Sequence, residues 1–299
     1  MLSLTKQYFM LALSLLTCVP ACQPMDSKTG TLILFNGTGS AGKSSTAREL
    51  VKALGNSAEF MSEELLNYKV LSSVFIKFGL KPCENFEKTI EFLNSLPKED
   101  DLNQKMKAYT EEHASELREN EMCRLIGQYI KEGKSVIIDN PMWEKETLEK
   151  WQQATVGLPV LHVMVYCSLD KLLEHISARN KSDDKCEERS IIEPFHMYSK
   201  IYQPVVKSSK RYIDTLERST VLDIMNKAME KAQQSSHDDD HALNKDFIDD
   251  FLKTFGLDTV DTVQIAPFCD YDLMVNTGTT TAQKCAEQII ATLSLKKEN

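Results

Sequence analysis

Short apolar runs alternate with amphipathic segments along most of the chain. The four apolar residues Leu32 to Phe35 are followed, after a glycine-rich stretch, by apolar residues at helical spacing from Ala47 to Leu54. Strands that alternate with helices predict an α/β fold with a parallel sheet. Further strands are predicted at Ala58 to Met61, Ser135 to Asp139, Val160 to Cys167, Thr262 to Ile265 and Tyr271 to Asn276. Further helices are predicted at Glu144 to Ala154, Leu169 to Arg179, Phe247 to Phe255 and, capped by Thr279 to Thr281, up to Leu293.

Two long segments interrupt this alternation. The first, at about 67–133, has apolar residues at helical spacing and is divided by Pro82 and Pro97. The second, at about 205–262, follows a stretch from Ile191 to Leu222 that also predicts helix, with a break at Pro204. Both segments are therefore expected to be helical insertions in the α/β domain.

The stretch from Gly37 to Ser44 matches G-x-x-x-x-G-K-[ST] between a predicted strand and a predicted helix. Glycines allow a tight turn whose N–H groups point at phosphate oxygens, and the start of the helix adds the positive end of its dipole. Lys43 is expected to reach the β- and γ-phosphates, and the Ser44 hydroxyl to bind Mg²⁺. The alternative is a glycine-rich turn that binds nothing. The predicted nucleotide contacts are Gly37, Thr38, Gly39, Ser40, Ala41, Gly42, Lys43, Ser44 and Ser45.

Asp139 ends the predicted strand Ser135 to Asp139, at the edge where open α/β sheets bind ligands. A carboxylate there is suited to hold Mg²⁺ beside the phosphate loop. The alternative is a turn residue, since Asn140 and Pro141 follow directly.

Glu63 comes just after the second predicted strand and is a candidate general base for an acceptor hydroxyl. Alternatively it complements the dipole of the helix that Ser62 caps, and Glu64 could fill either role.

The segment from Arg179 to Arg189 is highly charged and lacks apolar periodicity. Arginines in such a segment could close over a γ-phosphate as a lid. The alternative is a solvated loop in which the acidic residues of the segment neutralise the basic ones.

The formal net charge of -9 argues against broad nucleic-acid binding, so a small molecule or a protein is the expected partner.

At the N-terminus, Lys6 precedes the apolar run Tyr8 to Val19, which is typical of an export signal. Cleavage is expected after Ala21, or Cys22 or Cys18 becomes the acylated residue of a membrane-attached lipoprotein. On this hypothesis residues 1–25 are removed and the protein is periplasmic, secreted or lipid-anchored; otherwise the segment is uncleaved and the protein cytoplasmic.

Several blocks of the sequence together resemble the chloramphenicol phosphotransferase-like P-loop kinases. They are the phosphate loop, F-x-x-E-E-L from Phe60, VIIDN from Val136, the stretch from Leu158 to Asn180 and that from Tyr271 to Ile289. The resemblance implies the P-loop nucleoside triphosphate hydrolase fold, with a five-stranded parallel sheet flanked by helices, over residues 26–299. It also implies ATP and Mg²⁺ as cofactors and transfer of the γ-phosphate to a hydroxyl. Glu63 stands where that family has an aspartate base.

Three functions remain open from the sequence. The first is an exported or effector-type kinase that acts on a hydroxyl-bearing small molecule or protein. The second is a nucleotide-binding module, or a degenerate kinase, with a protein-interaction surface. The third is a nucleotide hydrolase, in which water replaces the acceptor.

Overall fold

The computed structural model describes residues 30–97, 100–139, 155, 157–180, 190–205, 213–233 and 243–298. The strands are β1 (Leu32–Asn36), β2 (Ala58–Met61), β3 (Ser135–Asp139), β4 (Val160–Tyr166), β5 (Tyr202–Pro204), β6 (Asp214–Glu217), β7 (Thr262–Pro267) and β8 (Leu273–Asn276). The helices are α1 (Lys43–Leu54), α2 (Glu63–Lys77), α3 (Phe86–Ser95), α4 (Asp101–Lys131), α5 (Leu169–Asn180), α6 (Glu193–Ile201), α7 (Arg218–Ala232), α8 (Lys245–Thr254) and α9 (Ala282–Glu298), and a short 3₁₀ turn covers Gly55–Ser57.

Five strands form the larger sheet, in the order β2-β3-β1-β4-β8. The pairs β2–β3 and β4–β8 are parallel, with Ala58 opposite Ser135 and Val163 opposite Leu273. All five residues of β1 are buried, which explains why its sequence is a continuous apolar run up to Asn36. The predicted parallel α/β sheet is therefore confirmed.

The described residues divide into two compact units. One contains residues 30–33, 54–139 and 155–160, and the other contains residues 34–53 and 161–298, each where described. The predicted helix at 144–154 lies outside the described residues.

The first unit contains β2, β3 and the helices α2 to α4. Each of these helices begins at a polar N-cap, and the side chains of Ser62, Asn85 and Asp100 accept backbone N–H groups of the first turn. The three helices share a core around Val74, Phe75 and Met106. The insertion between β2 and β3 is thus helical, as its apolar spacing predicts.

The second unit has a core of its own, to which α5 to α8 and the smaller sheet contribute. That sheet is antiparallel, in the order β5-β7-β6. Here the prediction of a helix up to Leu222 is wrong, because Asp214–Glu217 is a strand paired with β7. Only Leu216 of these four residues is buried, so the strand has too short an apolar pattern to be recognised from the sequence.

None of the helices among the described residues is both long enough and apolar enough to cross a membrane.

We predict that Phe75→Ala lowers the free energy of unfolding by about 3–5 kcal/mol, because it removes a buried aromatic ring. Phe75 is 1% exposed, and its ring packs edge-on against that of Phe92 at a centroid distance of 5.4 Å. The matched control is Ile76→Ala at the next position, which is 64% exposed and should change stability by less than about 0.5 kcal/mol. Urea unfolding of both variants tests this packing, and equal losses would contradict it.

Candidate nucleotide-binding site

The predicted phosphate loop lies in the second unit, between the end of β1 and the start of α1. Gly37 has a φ of +141°, and a Cβ atom on it would lie 2.0 Å from the carbonyl oxygen of Val165 in β4. Gly42 has a φ of +88° and approaches the side chain of Thr277. Both glycines of the motif are therefore required, one chiefly by a close backbone approach and the other by its conformation.

Lys43 folds back over the loop from the first position of α1. Its ammonium donates to the carbonyl oxygens of Gly37 at 3.0 Å and of Thr38 at 2.8 Å, and the residue is 7% exposed. Ser44 and Ser45 follow on the first turn of α1 and are exposed. The charge of Lys43 is thus fixed at the loop before any phosphate arrives.

Asn36, the last residue of β1, orders the entry to the loop. Its side-chain oxygen accepts the N–H of Gly37 at 2.8 Å, and its amide nitrogen donates to the Tyr271 hydroxyl at 2.6 Å. Burial raises the pKa of Tyr271 above its usual range, so this hydroxyl remains neutral. Asn36 was not among the sequence candidates, although a polar residue at the end of a buried strand was the available signal.

Three more side chains reach the loop from distant parts of the second unit. The Thr277 hydroxyl lies 2.6 Å from the carbonyl oxygen of Ala41. A ring nitrogen of His175 lies 3.1 Å from the carbonyl oxygen of Ser40. The N–H of Gly39 donates to the Met197 sulfur at 3.2 Å. None of these three residues was a candidate from the sequence. His175 and Met197 lie in helices with their own apolar periodicity, and Thr277 directly follows β8, so nothing local marked their roles.

The loop fits a phosphate group on three observations. It leads into the N-terminus of α1, it holds a lysine ammonium, and the buried Ser40 hydroxyl has no hydrogen-bond partner among the described residues.

The described part of the chain contains no cluster of three or more His, Cys, Asp or Glu side chains suited to a metal ion. Mg²⁺ in nucleotide sites is commonly held by one or two protein oxygens together with phosphates and water. Ser44 and Asp139 are of the type that this coordination uses.

Asp139 and Glu63 lie in the first unit. β2 and β3 are paired with Met61 opposite Ile138. Asp139 is the last residue of β3 and Glu63 comes just after β2, so both lie at the carboxyl ends of neighbouring strands. Asp139 is partly exposed, and Glu63 is the first residue of α2. Within this unit the two predicted acids therefore come to the same edge of the β2–β3 pair.

Only one of the two predicted lid arginines lies among the described residues. Arg179 is exposed near the end of α5, in the second unit. Arg189 lies outside the described residues.

Two ionisable residues of the second unit, Cys167 and Asp214, have pKa values that burial raises. Burial raises the pKa of the Cys167 thiol to about 12, and its surroundings include Asp170, Lys43 and Asp214. Burial also raises the pKa of Asp214, and the negative charge of Asp170 adds to this effect. Cys167 therefore stays a neutral thiol at physiological pH, and Asp214 is a carboxylate held in an unfavourable environment.

A family model described as an AAA domain matches residues 32–192, more than half of the chain. The chain belongs to this AAA domain family. The match begins with β1 and includes the phosphate loop, β2 to β4 and α5, and the fold is the P-loop nucleoside triphosphate hydrolase fold. Membership in the chloramphenicol phosphotransferase-like subfamily stays a prediction.

Solved structures similar to this AAA domain protein include two with a kinase name. One is the Mycobacterium tuberculosis APS kinase CysC in complex with AMPPNP and APS, with 12% identity, a TM-score of 0.36, and coverage of 89% of this chain and 98% of that one. The other, from Chloroflexus aurantiacus, is named only provisionally as a kinase, with 12% identity, a TM-score of 0.37, and coverage of 89% and 97%. At these TM-scores neither supports a conclusion about activity. No curated protein matches the sequence.

We predict that Gly37→Ala weakens ATP binding at least about tenfold, because its Cβ would collide with the Val165 carbonyl and force the loop to move. The matched control is Gly127→Ala in α4, where a Cβ meets nothing within 4 Å and the substitution favours the helix. Calorimetric titration with ATP and Mg²⁺ measures both affinities. Unchanged binding by a folded Gly37→Ala protein would contradict the assigned loop geometry.

We predict that Asp214→Asn stabilises the protein at about pH 7. The pKa of Asp214 is raised in the folded state, so ionisation of its carboxyl group opposes folding above that pKa. This penalty disappears as pH falls below the pKa that an Asp carboxyl has in the unfolded chain, roughly 4. Asparagine retains the acceptor for the Thr215 N–H, which lies 2.8 Å away. Urea unfolding at about pH 7 and about pH 4 should show a gain that shrinks at the lower pH, and a gain independent of pH would contradict the argument.

Proposed function

We propose that the protein is an ATP-dependent phosphotransferase that moves the γ-phosphate to a hydroxyl of a small molecule or a protein. The observation that carries this proposal is the loop from Gly37 to Ser44, in which the Lys43 ammonium rests on the carbonyls of Gly37 and Thr38. A fixed cation at a loop of backbone amides suits a reaction whose transition state spreads negative charge over phosphoryl oxygens. Membership of a P-loop family supports the same function.

The proposed chemistry assigns one role to each predicted residue. Lys43 and the loop amides stabilise the charge on the phosphates, and Glu63 accepts the proton of the acceptor hydroxyl. The acceptor oxygen forms a bond to the γ-phosphorus while the bond from that phosphorus to the bridging oxygen breaks, and ADP leaves with the electron pair. Arg179 or Arg189 supplies further positive charge.

Ser44 and Asp139 would hold Mg²⁺, which when bound neutralises charge on the β- and γ-phosphates. Two observations support this assignment: Ser44 is exposed on the first turn of α1, and Asp139 is a partly exposed acid at a strand end.

The helical insertion α2 to α4 is the proposed source of acceptor specificity. Glu63 is its first residue, and it carries polar groups as well as its apolar core. Arg118, for example, donates to the side chain of Asn67 at 2.8 Å across two of its helices. An acceptor with polar substituents beside its hydroxyl would suit such a surface.

We further propose that the protein is exported or acts as an effector, on the strength of the N-terminal run from Tyr8 to Val19. Because the reaction consumes ATP, this requires delivery to a compartment that contains ATP. Membrane attachment through Cys22 or Cys18 is part of the same proposal.

The test is transfer of label from ATP radiolabelled at the γ-phosphate, with Mg²⁺, by the full-length protein in the presence of a cell lysate as a source of acceptors. We expect Lys43→Ala to lose ATP binding and transfer together. We expect Glu63→Gln to bind ATP normally but to transfer phosphate roughly 10²- to 10⁴-fold more slowly, because it removes only the base.

The matched control is Glu64→Gln, which changes the neighbouring carboxylate in the same way and should leave transfer unchanged. Loss of transfer in Glu64→Gln alone would contradict the assignment of Glu63. Tight ATP binding without transfer would contradict the kinase and leave a nucleotide-binding module, and label released only as inorganic phosphate would indicate a hydrolase.

A further inference from the structure

Ser40 has the strained backbone of the phosphate loop. Its φ is +63°, the only positive value among the non-glycine residues in the described ranges. For an L-residue this left-handed conformation is unfavourable, because Cβ approaches the following carbonyl oxygen. Such a conformation persists only where surrounding contacts determine it. The side chain of Ser40 supplies none, because its buried hydroxyl has no hydrogen-bond partner among those residues.

His175 contacts the backbone of Ser40. This histidine lies on α5, 135 positions further along the chain, and its Nδ1 atom is 3.1 Å from the Ser40 carbonyl oxygen. A carbonyl oxygen can only accept, so Nδ1 must carry the proton and donate it. His175 is partly buried, and the neighbouring α5 residue Ile176 belongs to the core of the second unit. The donor is therefore held on a fixed helix.

Two further peptide groups of the loop are also held by side chains. The N–H of Gly39 donates to the Met197 sulfur at 3.2 Å, and the carbonyl of Ala41 lies 2.6 Å from the Thr277 hydroxyl. Because a peptide group is planar and trans, a carbonyl turned outward turns the N–H of the next residue the opposite way. The N–H of Gly42 therefore points away from Thr277, and the hydrogen bond from His175 holds the preceding peptide group, which joins Ser40 to Ala41.

We propose that His175 is a positioning residue for nucleotide phosphates, which holds Ser40 in the left-handed conformation and so keeps the phosphate loop in its binding shape. The proposal rests on the function proposed above. His175 itself does not contact the nucleotide.

The test is a double-mutant cycle between His175→Phe and Ser40→Gly, read as the Kd for ATP with Mg²⁺ by calorimetric titration. We expect His175→Phe alone to weaken binding at least about tenfold, because it keeps an aromatic ring but removes the donor. Glycine adopts a positive φ without strain. In the Ser40→Gly background the same change should therefore weaken binding by no more than about threefold.

Two further variants separate positioning from general stability. His175→Asn retains a donor near Nδ1 and should restore most of the affinity in the Ser40 background. Met197→Leu perturbs the same part of the core but leaves the Ser40 carbonyl bonded, and should weaken binding less than His175→Phe. Thermal unfolding of every variant shows that the proteins compared are folded, and His175→Leu, which also removes the donor, replaces His175→Phe in the cycle if the latter does not fold.

An equal loss of affinity from the histidine substitution in both backgrounds would overturn the inference, and so would normal binding by His175→Phe. Absence of ATP binding by the unmodified protein would instead overturn the proposed function, so the two failures are distinguishable.

Discussion

A loop can present its peptide N–H groups to a phosphate only if its carbonyl groups find partners elsewhere, because a buried carbonyl without a partner is costly. Here four of the loop's carbonyls are engaged by side chains. Those of Gly37 and Thr38 accept from Lys43, that of Ser40 from His175, and that of Ala41 from Thr277. The loop therefore depends on α5 and the segment after β8, and not on the glycine motif alone.

The two compact units have different parts in the proposed chemistry. The second holds the phosphate loop and a large core that fixes the elements around it. The first holds Glu63, Asp139 and the helical insertion, with a smaller core of its own around Phe75. In the proposed chemistry, binding of the phosphates and handling of the acceptor would thus belong to separately packed parts of the chain. Differences in acceptor among related proteins could arise in the first unit without disturbing the loop.

The sequence predicted those features that a local pattern determines. The apolar run of β1 and the spacing of Gly37, Gly42 and Lys43 located the loop, and Ser62 located the start of α2. The contacts that shape the loop join residues 135 positions apart, as in His175 and Ser40, or 235 apart, as in Asn36 and Tyr271. Such pairs depend on how strands and helices are arranged in the fold. Neither the positive φ of Ser40 nor the strand Asp214–Glu217 could be inferred, because each is imposed by tertiary contacts on a sequence without strong local preference.

The most direct test of the account is the comparison of ATP, ADP and AMP as ligands by calorimetric titration with Mg²⁺. A loop of this kind binds the β-phosphate through its backbone amides and its lysine. ATP and ADP should therefore bind with similar affinity, and AMP at least about a hundredfold more weakly. Equal binding of AMP and ATP, or binding of none of the three, would contradict the claim that the loop is shaped for nucleotide phosphates.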